Sequence, residues 1–367
     1  MKNRWAFERI PSIFYGNMKL AKIQEGRINI LVPEGEELTK KMSTFYNPEM
    51  KFDRDLSEII LSILKPKRIA DCMCASGVRG LRYKSVLPES EVILNDINPI
   101  SMDLAKKNAE VNNLDVKFEN KDIHKFLGSY LFDFIDIDPF GSPVYFLDSA
   151  ARSIRNNGCI AITATDTAAL CGTSPNACLR KYGVRSLRND FMKELGLRIM
   201  LSCAIKTFSK YEMAFTPIFS YSRRHYFRAI GQIKRGAKRT DALLDQFQHI
   251  SYCMKCGYRT YGIENTCKVC KDKTNIIEET YVGDFASIDF CSQIAKLTES
   301  SQAKFIERIK EEQGYPPYFD VHKICEWNHK KIRSMEDLLK DLEGTRTHFL
   351  STGVKTKKNF EEVLNLL

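Results

Sequence analysis

The stretch Asp136-Ile137-Asp138-Pro139-Phe140-Gly141-Ser142-Pro143 concentrates the residue types that could do chemistry. An apolar run, Phe132 to Ile137, ends in an acid, a proline and an aromatic ring. An exocyclic amine on guanine or adenine is a poor nucleophile, because its lone pair is delocalised into the ring. A fixed carboxylate that accepts the amine N–H can localise that pair and hold it in line with an activated methyl group. The same acid can stabilise the charge that develops on nitrogen and then take the proton. Asp138 is the candidate acceptor and base, Pro139 the rigid backbone, and Phe140 a platform for base stacking. Strand alternation puts Asp136 on the same face but one pleat deeper, which makes it the weaker candidate base. The plainer alternative is an Asp-Pro pair that merely ends a buried strand.

A second constellation is Cys253-x-x-Cys256 and Cys267-x-x-Cys270, with ten residues between the pairs. This is the ligand spacing of a four-cysteine zinc site, and a redox pair is the competing reading. Four thiolates close a tetrahedron and leave no open position, so Zn2+ bound there is expected to be structural. Lys255, Arg259, Lys268 and Lys271 nearby would favour the thiolates and face phosphates.

These groups need elements to hold them. Arg68 to Cys74 reads as a strand running into the small-residue turn Ala75-Ser76-Gly77-Val78-Arg79-Gly80. Further strands are expected over Glu91 to Leu94, Val116 to Glu119, Phe132 to Ile137 and Cys159 to Thr165, with helices between them, including Pro99 to Asn112 and Pro143 to Arg155. Such alternation makes a doubly wound α/β sheet with parallel strands. Ser186 to Tyr211 reads as one long helix, followed by two β-rich runs, Ala214 to Tyr221 and His225 to Ile233. A hairpin there would close the sheet as in class I (Rossmann-like) S-adenosylmethionine methyltransferases.

In such a sheet the ligand lies beyond the carboxyl ends of the strands. Asp96 closes the second strand, where an acid accepts from both ribose hydroxyls, and Asp122 follows the third, where it can accept from an adenine amine with Ile123 beside the ring. Arg54 and Arg79 are candidates to pair with the carboxylate of a methionyl group, since a guanidinium fork matches a carboxylate. The turn holds only Gly77 and Gly80, not a G-x-G-x-x-G fingerprint, which disfavours a nicotinamide oxidoreductase. The cofactor expected is S-adenosyl-L-methionine.

At 367 residues, 43% of them hydrophobic, the chain is long enough for two or more cores. Met1 to Asn17 lacks a continuous apolar stretch and is not expected to be a signal peptide. No run of about 18 apolar residues suggests a membrane span. Twelve cysteines with no secretory signal fit a reducing, cytoplasmic setting. The net charge of +10 favours a polyanionic partner. Three basic regions could meet it. Segment 204–239 interleaves nine Lys or Arg with Phe208, Tyr211, Tyr221, Tyr226 and Phe227; Arg180, Lys181, Arg185 and Arg188 form the second; Arg346, His348, Lys355, Lys357 and Lys358 form the third.

Asp138-Pro-Phe-Gly-Ser-Pro143, together with Thr163-Ala-Thr-Asp-Thr167, Cys178-Leu-Arg-Lys-Tyr182, Phe45-Tyr-Asn-Pro48 and Thr345-Arg-Thr-His348, resembles the tRNA guanine-26 N2-dimethyltransferase family in its compact archaeal form. The resemblance runs from about residue 24 to the end. It implies transfer of one or two methyl groups to N2 of guanine 26 in tRNA. It also implies cofactor roles for Arg54, Arg79, Asp96, Asp122 and Ile123, the last through its backbone, and a catalytic role for Asp138. Phe45 would be a second wall of the base pocket, and Arg180, Lys181 and Arg185 would contact the substrate. The expected layout is a methyltransferase domain with an N-terminal extension over 1–237 and a smaller α+β tRNA-docking domain over 238–367. The latter would hold a zinc module at about 250–280 and a winged-helix-like region at about 284–367, with Gly236 to Thr240 as linker. Partners other than tRNA are not readable. Two alternatives stay open: an N6-adenine or other nucleobase amino-methyltransferase acting on rRNA or DNA, and a zinc and winged-helix nucleic-acid-binding protein without activity.

Overall fold

The computed structural model of the chain describes residues 13–15, 18–34 and 44–367; Met1 to Asn17, where no signal peptide is expected, falls largely outside them. Two compact units are present, Met1–Asp138 with Arg152–Gly158, and Pro139–Ala151 with Cys159–Leu367. No helix among the described residues is long and apolar enough to cross a membrane.

The first unit opens with a three-stranded antiparallel sheet of β1 (Ile13–Tyr15), β2 (Met18–Glu25) and β3 (Ile28–Pro33). After a proline-led turn capped by Asn47 comes α1 (Lys51–Leu64). Then β4 (Arg68–Asp71), α2 (Val78–Val86), β5 (Glu91–Asn95), α3 (Pro99–Val111), β6 (Lys117–Glu119), α4 (Ile123–Leu127) and β7 (Phe132–Ile137) alternate. Strand β4 pairs in parallel with β5 and β7, and β5 with β6. Parallel strands covered on both faces need continuous apolar runs, and Phe132, Phe134, Ile135 and Ile137 of β7 are all buried. Each contributes roughly 1.5–3 kcal/mol by leaving water. Asn108 of α3 and its C-cap Asn112 treat β3 as a strand edge. Asn112 accepts from Asn29 N–H and donates to its carbonyl (2.8 and 2.6 Å), and Asn108 does the same with Leu31 (2.7 and 3.0 Å). Asn108 also donates to the carbonyl of Ser76, which ties β3 to the turn after β4.

α5 (Leu147–Ser153) and β8 (Ile154–Ala164) have residues in both units. The second continues with α6 (Thr167–Leu170), α7 (Pro175–Tyr182), α8 (Met192–Ser209), β9 (Met213–Arg223), β10 (Tyr226–Arg235) and α9 (Ala237–Leu244). The seven-stranded sheet has the order β6-β5-β4-β7-β8-β10-β9, with β10 antiparallel to both β8 and β9. The expected closing hairpin is therefore present. A small sheet follows, β11 (Phe247–Tyr252), β12 (Arg259–Tyr261) and β13 (Asn275–Tyr281), in the order β12-β11-β13. Last come α10 (Ile288–Lys296), α11 (Ser300–Glu311), β14 (Phe319–Asp320), α12 (Val321–Trp327), α13 (Met335–Asp341), β15 (Thr345–Arg346), β16 (Gly353–Lys355) and α14 (Phe360–Leu366). Cys253, Cys256 and Cys267 share one core with Phe319, Ile324, Leu338, Val354 and Phe360, so the cysteine cluster and the C-terminal helices pack together.

Several elements depart from expectation for identifiable reasons. The long helix begins at Met192, not Ser186. Asn189 captures the N–H of Phe191, and the carboxylate of Asp190 is anchored to Tyr252 and Arg259, so the chain is held out of helical form before Met192. Helix α5 stops at Ser153, whose hydroxyl donates to the carbonyl of Leu127, and the chain is extended from Ile154. Gly236 to Thr240 is no linker: Gly236 takes φ 135° and α9 starts directly after it.

Candidate active site and metal centre

Acids stand at the strand tips because the chain turns there through conformations that leave backbone N–H groups exposed. Ala75 (φ 47°) and Gly77 (φ 79°) are left-handed. A Cβ on Gly77 would come within 3.0 Å of the Cβ of Ala105, so the turn also needs glycine for space. Asp96 accepts from Ala75 N and Asn98 N, both at 2.9 Å, and burial raises its pKa against those two bonds. Asp122 caps α4 by accepting from His124 N at 2.9 Å, with Ile123 buried beside it. Asp71 accepts from Gly80 N at 2.8 Å; burial first, then the neighbouring Asp136, push its carboxyl up to about 7. Sequence reasoning misses Ile97, which is 69% exposed between Asp96 and Asn98. An isoleucine flanked by two polar residues at a strand end is the available signal.

Arg79 is the hub of the first unit. Its Nη2 lies 2.5 Å from Asp138 and 2.7 Å from Asp53. Its Nη1 faces Ser57 (3.3 Å), the hydroxyl of Tyr83 (3.4 Å) and Asp136 (3.7 Å). Tyr83, one turn further along α2, donates to Asp136 at 2.5 Å. Burial opposes the charge on Arg79, but Asp136 and Asp53, then Tyr83 and Asp138, outweigh it and hold the guanidinium firmly protonated. Asp138 differs from the other acids in the cluster: its side chain is 24% exposed, against 1% for Asp53 and 0% for Asp136. Tyr83 also escapes sequence reasoning, although its i+4 spacing from Arg79 marks the pair.

Arg54 has a different set of partners. Glu25 takes its Nε and Nη2 at 2.5 and 2.7 Å, and the carbonyl of Asn47 accepts from Nη2 at 3.1 Å. Burial alone would raise Glu25, but Arg54, Tyr46 and Arg82 hold it down at about 2. Phe45 is half-buried next to Tyr46, whose hydroxyl donates to Glu25.

In the second unit, Pro139 is buried and Phe140 is 45% exposed. Gly141 (φ 96°) reverses the chain, and its N–H and carbonyl both bond Thr165, through Oγ1 (2.8 Å) and N (2.9 Å). Asp166 then accepts from Lys181 Nζ (3.0 Å) and the Tyr182 hydroxyl (2.7 Å), while Thr163 accepts from Arg228 (2.8 Å). Three motifs separate in sequence therefore clamp one loop. Of the second basic group, Arg180, Arg185 and Arg188 are exposed, whereas Lys181 is spent on Asp166.

Burial removes part of each of the other two basic regions. Phe208, Tyr221, Tyr226 and Phe227 are core residues and Arg228 is buried, so segment 204–239 offers no set of exposed rings for stacking. Its strands are covered on both faces, and its exposed cations lie at their margins: Lys206 and Lys210 at the end of α8, Arg224 in the hairpin turn, and Lys234, Arg235, Lys238 and Arg239 after it. His348 and Lys355 likewise point inward, onto Glu312 and Glu194.

The Sγ atoms of Cys253, Cys256, Cys267 and Cys270 all lie within 4.8 Å of one another, with Cys253–Cys270 at 3.4 Å and Cys256–Cys267 at 3.5 Å. Tetrahedral Zn–S bonds of about 2.3 Å put sulfurs about 3.8 Å apart, so the four thiols fit Zn2+. Two tight turns present them, Gly257 N bonding the carbonyl of Cys253 and Lys271 N that of Cys267.

A parallel sheet closed by an antiparallel hairpin, with acids at successive strand tips, is the architecture of a class I methyltransferase. The model of the family "N2,N2-dimethylguanosine tRNA methyltransferase" matches residues 26–367, and the chain belongs to that family. It is 36% identical over 372 residues to the tRNA (guanine(26)-N(2))-dimethyltransferase of Saccharolobus solfataricus, covering 94% of this chain and 98% of that one. The enzyme of the same description from Thermococcus kodakarensis is 35% identical over 379 residues, with 95% and 99% covered. Among solved structures, the complex of Trm1 from Pyrococcus horikoshii with S-adenosyl-L-methionine is similar at a TM-score of 0.86 and 31% identity, covering 95% of this chain and 99% of that one.

Proposed function

We propose that this chain transfers one or two methyl groups from S-adenosyl-L-methionine to the exocyclic N2 of guanine 26 in tRNA. The observation that carries the proposal is Asp138, a partly exposed carboxylate at the tip of β7, held by Arg79 and followed by Pro139 and the exposed Phe140. Asp138 accepts an amine N–H and turns the nitrogen lone pair toward the methyl. A new N–C bond forms as the S–C bond breaks, and the amine proton passes to Asp138 and then to solvent. Pro139 keeps the backbone rigid, Phe140 stacks on the base, and Phe45 forms a second wall. A base inside a helix junction must leave its stack to reach the acid, at a cost of a few kcal/mol. The second transfer needs only the one N–H that a monomethylated amine retains.

For the donor, each carboxylate oxygen of Asp96 has already accepted one backbone N–H and keeps capacity for a ribose hydroxyl. Asp122 accepts from the adenine amine, and Ile123, its side chain buried, contributes through its backbone. Ile97 covers the adenine face. Arg79 and Arg54 address the methionyl carboxylate. The four cysteines hold a structural Zn2+ that stiffens the region packed on the C-terminal helices. Residues 1–237 do the chemistry and residues 238–367 dock the tRNA, with Arg180 and Arg185 on phosphates and Lys181 positioned through Asp166. Such an enzyme works in the cytoplasm.

Nucleoside mass spectrometry of unmodified tRNA incubated with the protein and donor tests this. N2-methylguanosine and N2,N2-dimethylguanosine are expected, and a tRNA carrying adenine in place of guanine 26 should give neither. Methyladenosine alone would transfer the assignment to an N6-adenine enzyme.

A further inference from the structure

We infer that the donor's carboxylate and Asp138 compete for Arg79, so that donor binding releases Asp138 to meet the amine and sets the order donor first, base second. This rests on the reading that Arg79 takes the methionyl carboxylate. One guanidinium here already faces three carboxylates within 3.7 Å, and its Nη2 is shared by Asp138 and Asp53. A fourth carboxylate cannot join without repulsion that a buried site screens poorly. One acid must therefore give way. Asp53 and Asp136 are sealed in the unit, and Asp136 is further fixed by Tyr83. Asp138 alone is partly exposed, and it stands one residue past the end of β7, where its side chain can rotate without breaking a strand.

The exchange gives Asp138 two states with different uses. Paired to Arg79 at 2.5 Å, its Oδ2 is bonded to a cation, which leaves less negative charge to stabilise the nitrogen of an attacking amine. Released, it is an unpaired carboxylate beside the donor, which is what a weakly nucleophilic amine needs. A flipped base arriving before the donor meets an acid that is still engaged, so unproductive engagement of tRNA is discouraged. Asp53 and Tyr83 act as positioning residues, holding Arg79 still while its partner changes.

The test is calorimetric titration of the full-length, zinc-loaded protein with S-adenosyl-L-homocysteine, which has the carboxylate, and with 5′-methylthioadenosine, which lacks it. Asp138→Asn and Asp138→Ala should bind S-adenosyl-L-homocysteine about tenfold more tightly than wild type, the worth of one charge-assisted hydrogen bond. Affinity for 5′-methylthioadenosine should be the same in all three. Unchanged or weaker S-adenosyl-L-homocysteine binding by both variants, with melting temperatures intact, would overturn the competition. If Arg79→Met binds S-adenosyl-L-homocysteine as well as wild type does, the carboxylate role of Arg79 itself fails, and the inference falls with it.

Discussion

The cluster around Arg79 and the cluster around Glu194 use the same residue types in opposite balance. Glu194 accepts from Arg198 Nε and Nη2 (3.0 and 2.8 Å), Lys355 Nζ (2.7 Å) and the N–H of Tyr318 (3.0 Å). Glu312 accepts from Thr347 Oγ1, His348 N and His348 Nδ1, each at 2.6 Å, and has Lys355 at 3.9 Å. Nε2 of His348 accepts from Ser222 N, so the ring proton sits on Nδ1, toward Glu312. Two acids face two cations there, all buried, and every carboxylate oxygen accepts at least one hydrogen bond. That network joins α8 to the C-terminal strands and leaves nothing over for a ligand. Around Arg79, three acids face one cation, and one of them reaches solvent. A balanced buried network fixes a structure; an unbalanced one at a strand tip is ready to change partners.

Removing one member of each cluster separates these roles. Glu194→Ala strands Arg198 and Lys355 in the core and should cost about 3–5 kcal/mol in denaturant titration. A loss below about 1 kcal/mol would mean that the network is not what holds the C-terminal region to α8. Asp71→Asn is a smaller, pH-dependent change. The carboxyl of Asp71 titrates at about 7 when folded, against 3.8 for the free group, so the native state binds the extra proton between those values. Stability from that proton is full below about pH 4 and is lost as pH rises through 7. The asparagine keeps an acceptor for Gly80 and does not titrate. The melting temperature of the variant should therefore gain on wild type from pH 4 to pH 7 and run parallel above. A constant difference across that range would remove the surplus of negative charge from the Arg79 cluster.

The parallel sheet, its closing hairpin and the acids at its edge were legible because they follow from local pattern. Apolar runs ended by Asp96 and by Asp138-Pro139 read directly as strand tips, and cysteine spacing alone picked out the four thiols that the fold brings together. What could not be read was which charge meets which. Arg54 finds Glu25 on β2, and Lys355 finds Glu194, 161 residues away, so basic residues that look free in sequence are consumed inside the fold. The rings of segment 204–239 misled for a related reason. Interleaved charge and aromatic residues suggest a surface, but β9 and β10 are covered on both faces, and even Arg228 is buried on Thr163. The start of α8 was missed because Asp190 serves Tyr252 and Arg259, partners that no helical period reveals.

Single-turnover methyl transfer to unmodified tRNA by Asp138→Ala, at saturating donor, tests most directly whether the acid at the tip of β7 performs the reaction. The expected result is a rate lowered by about 10²–10⁴-fold, with the melting temperature preserved and donor binding undiminished. A rate within a few-fold of wild type would contradict the assignment, since the amine would then be reaching the methyl group without this carboxylate.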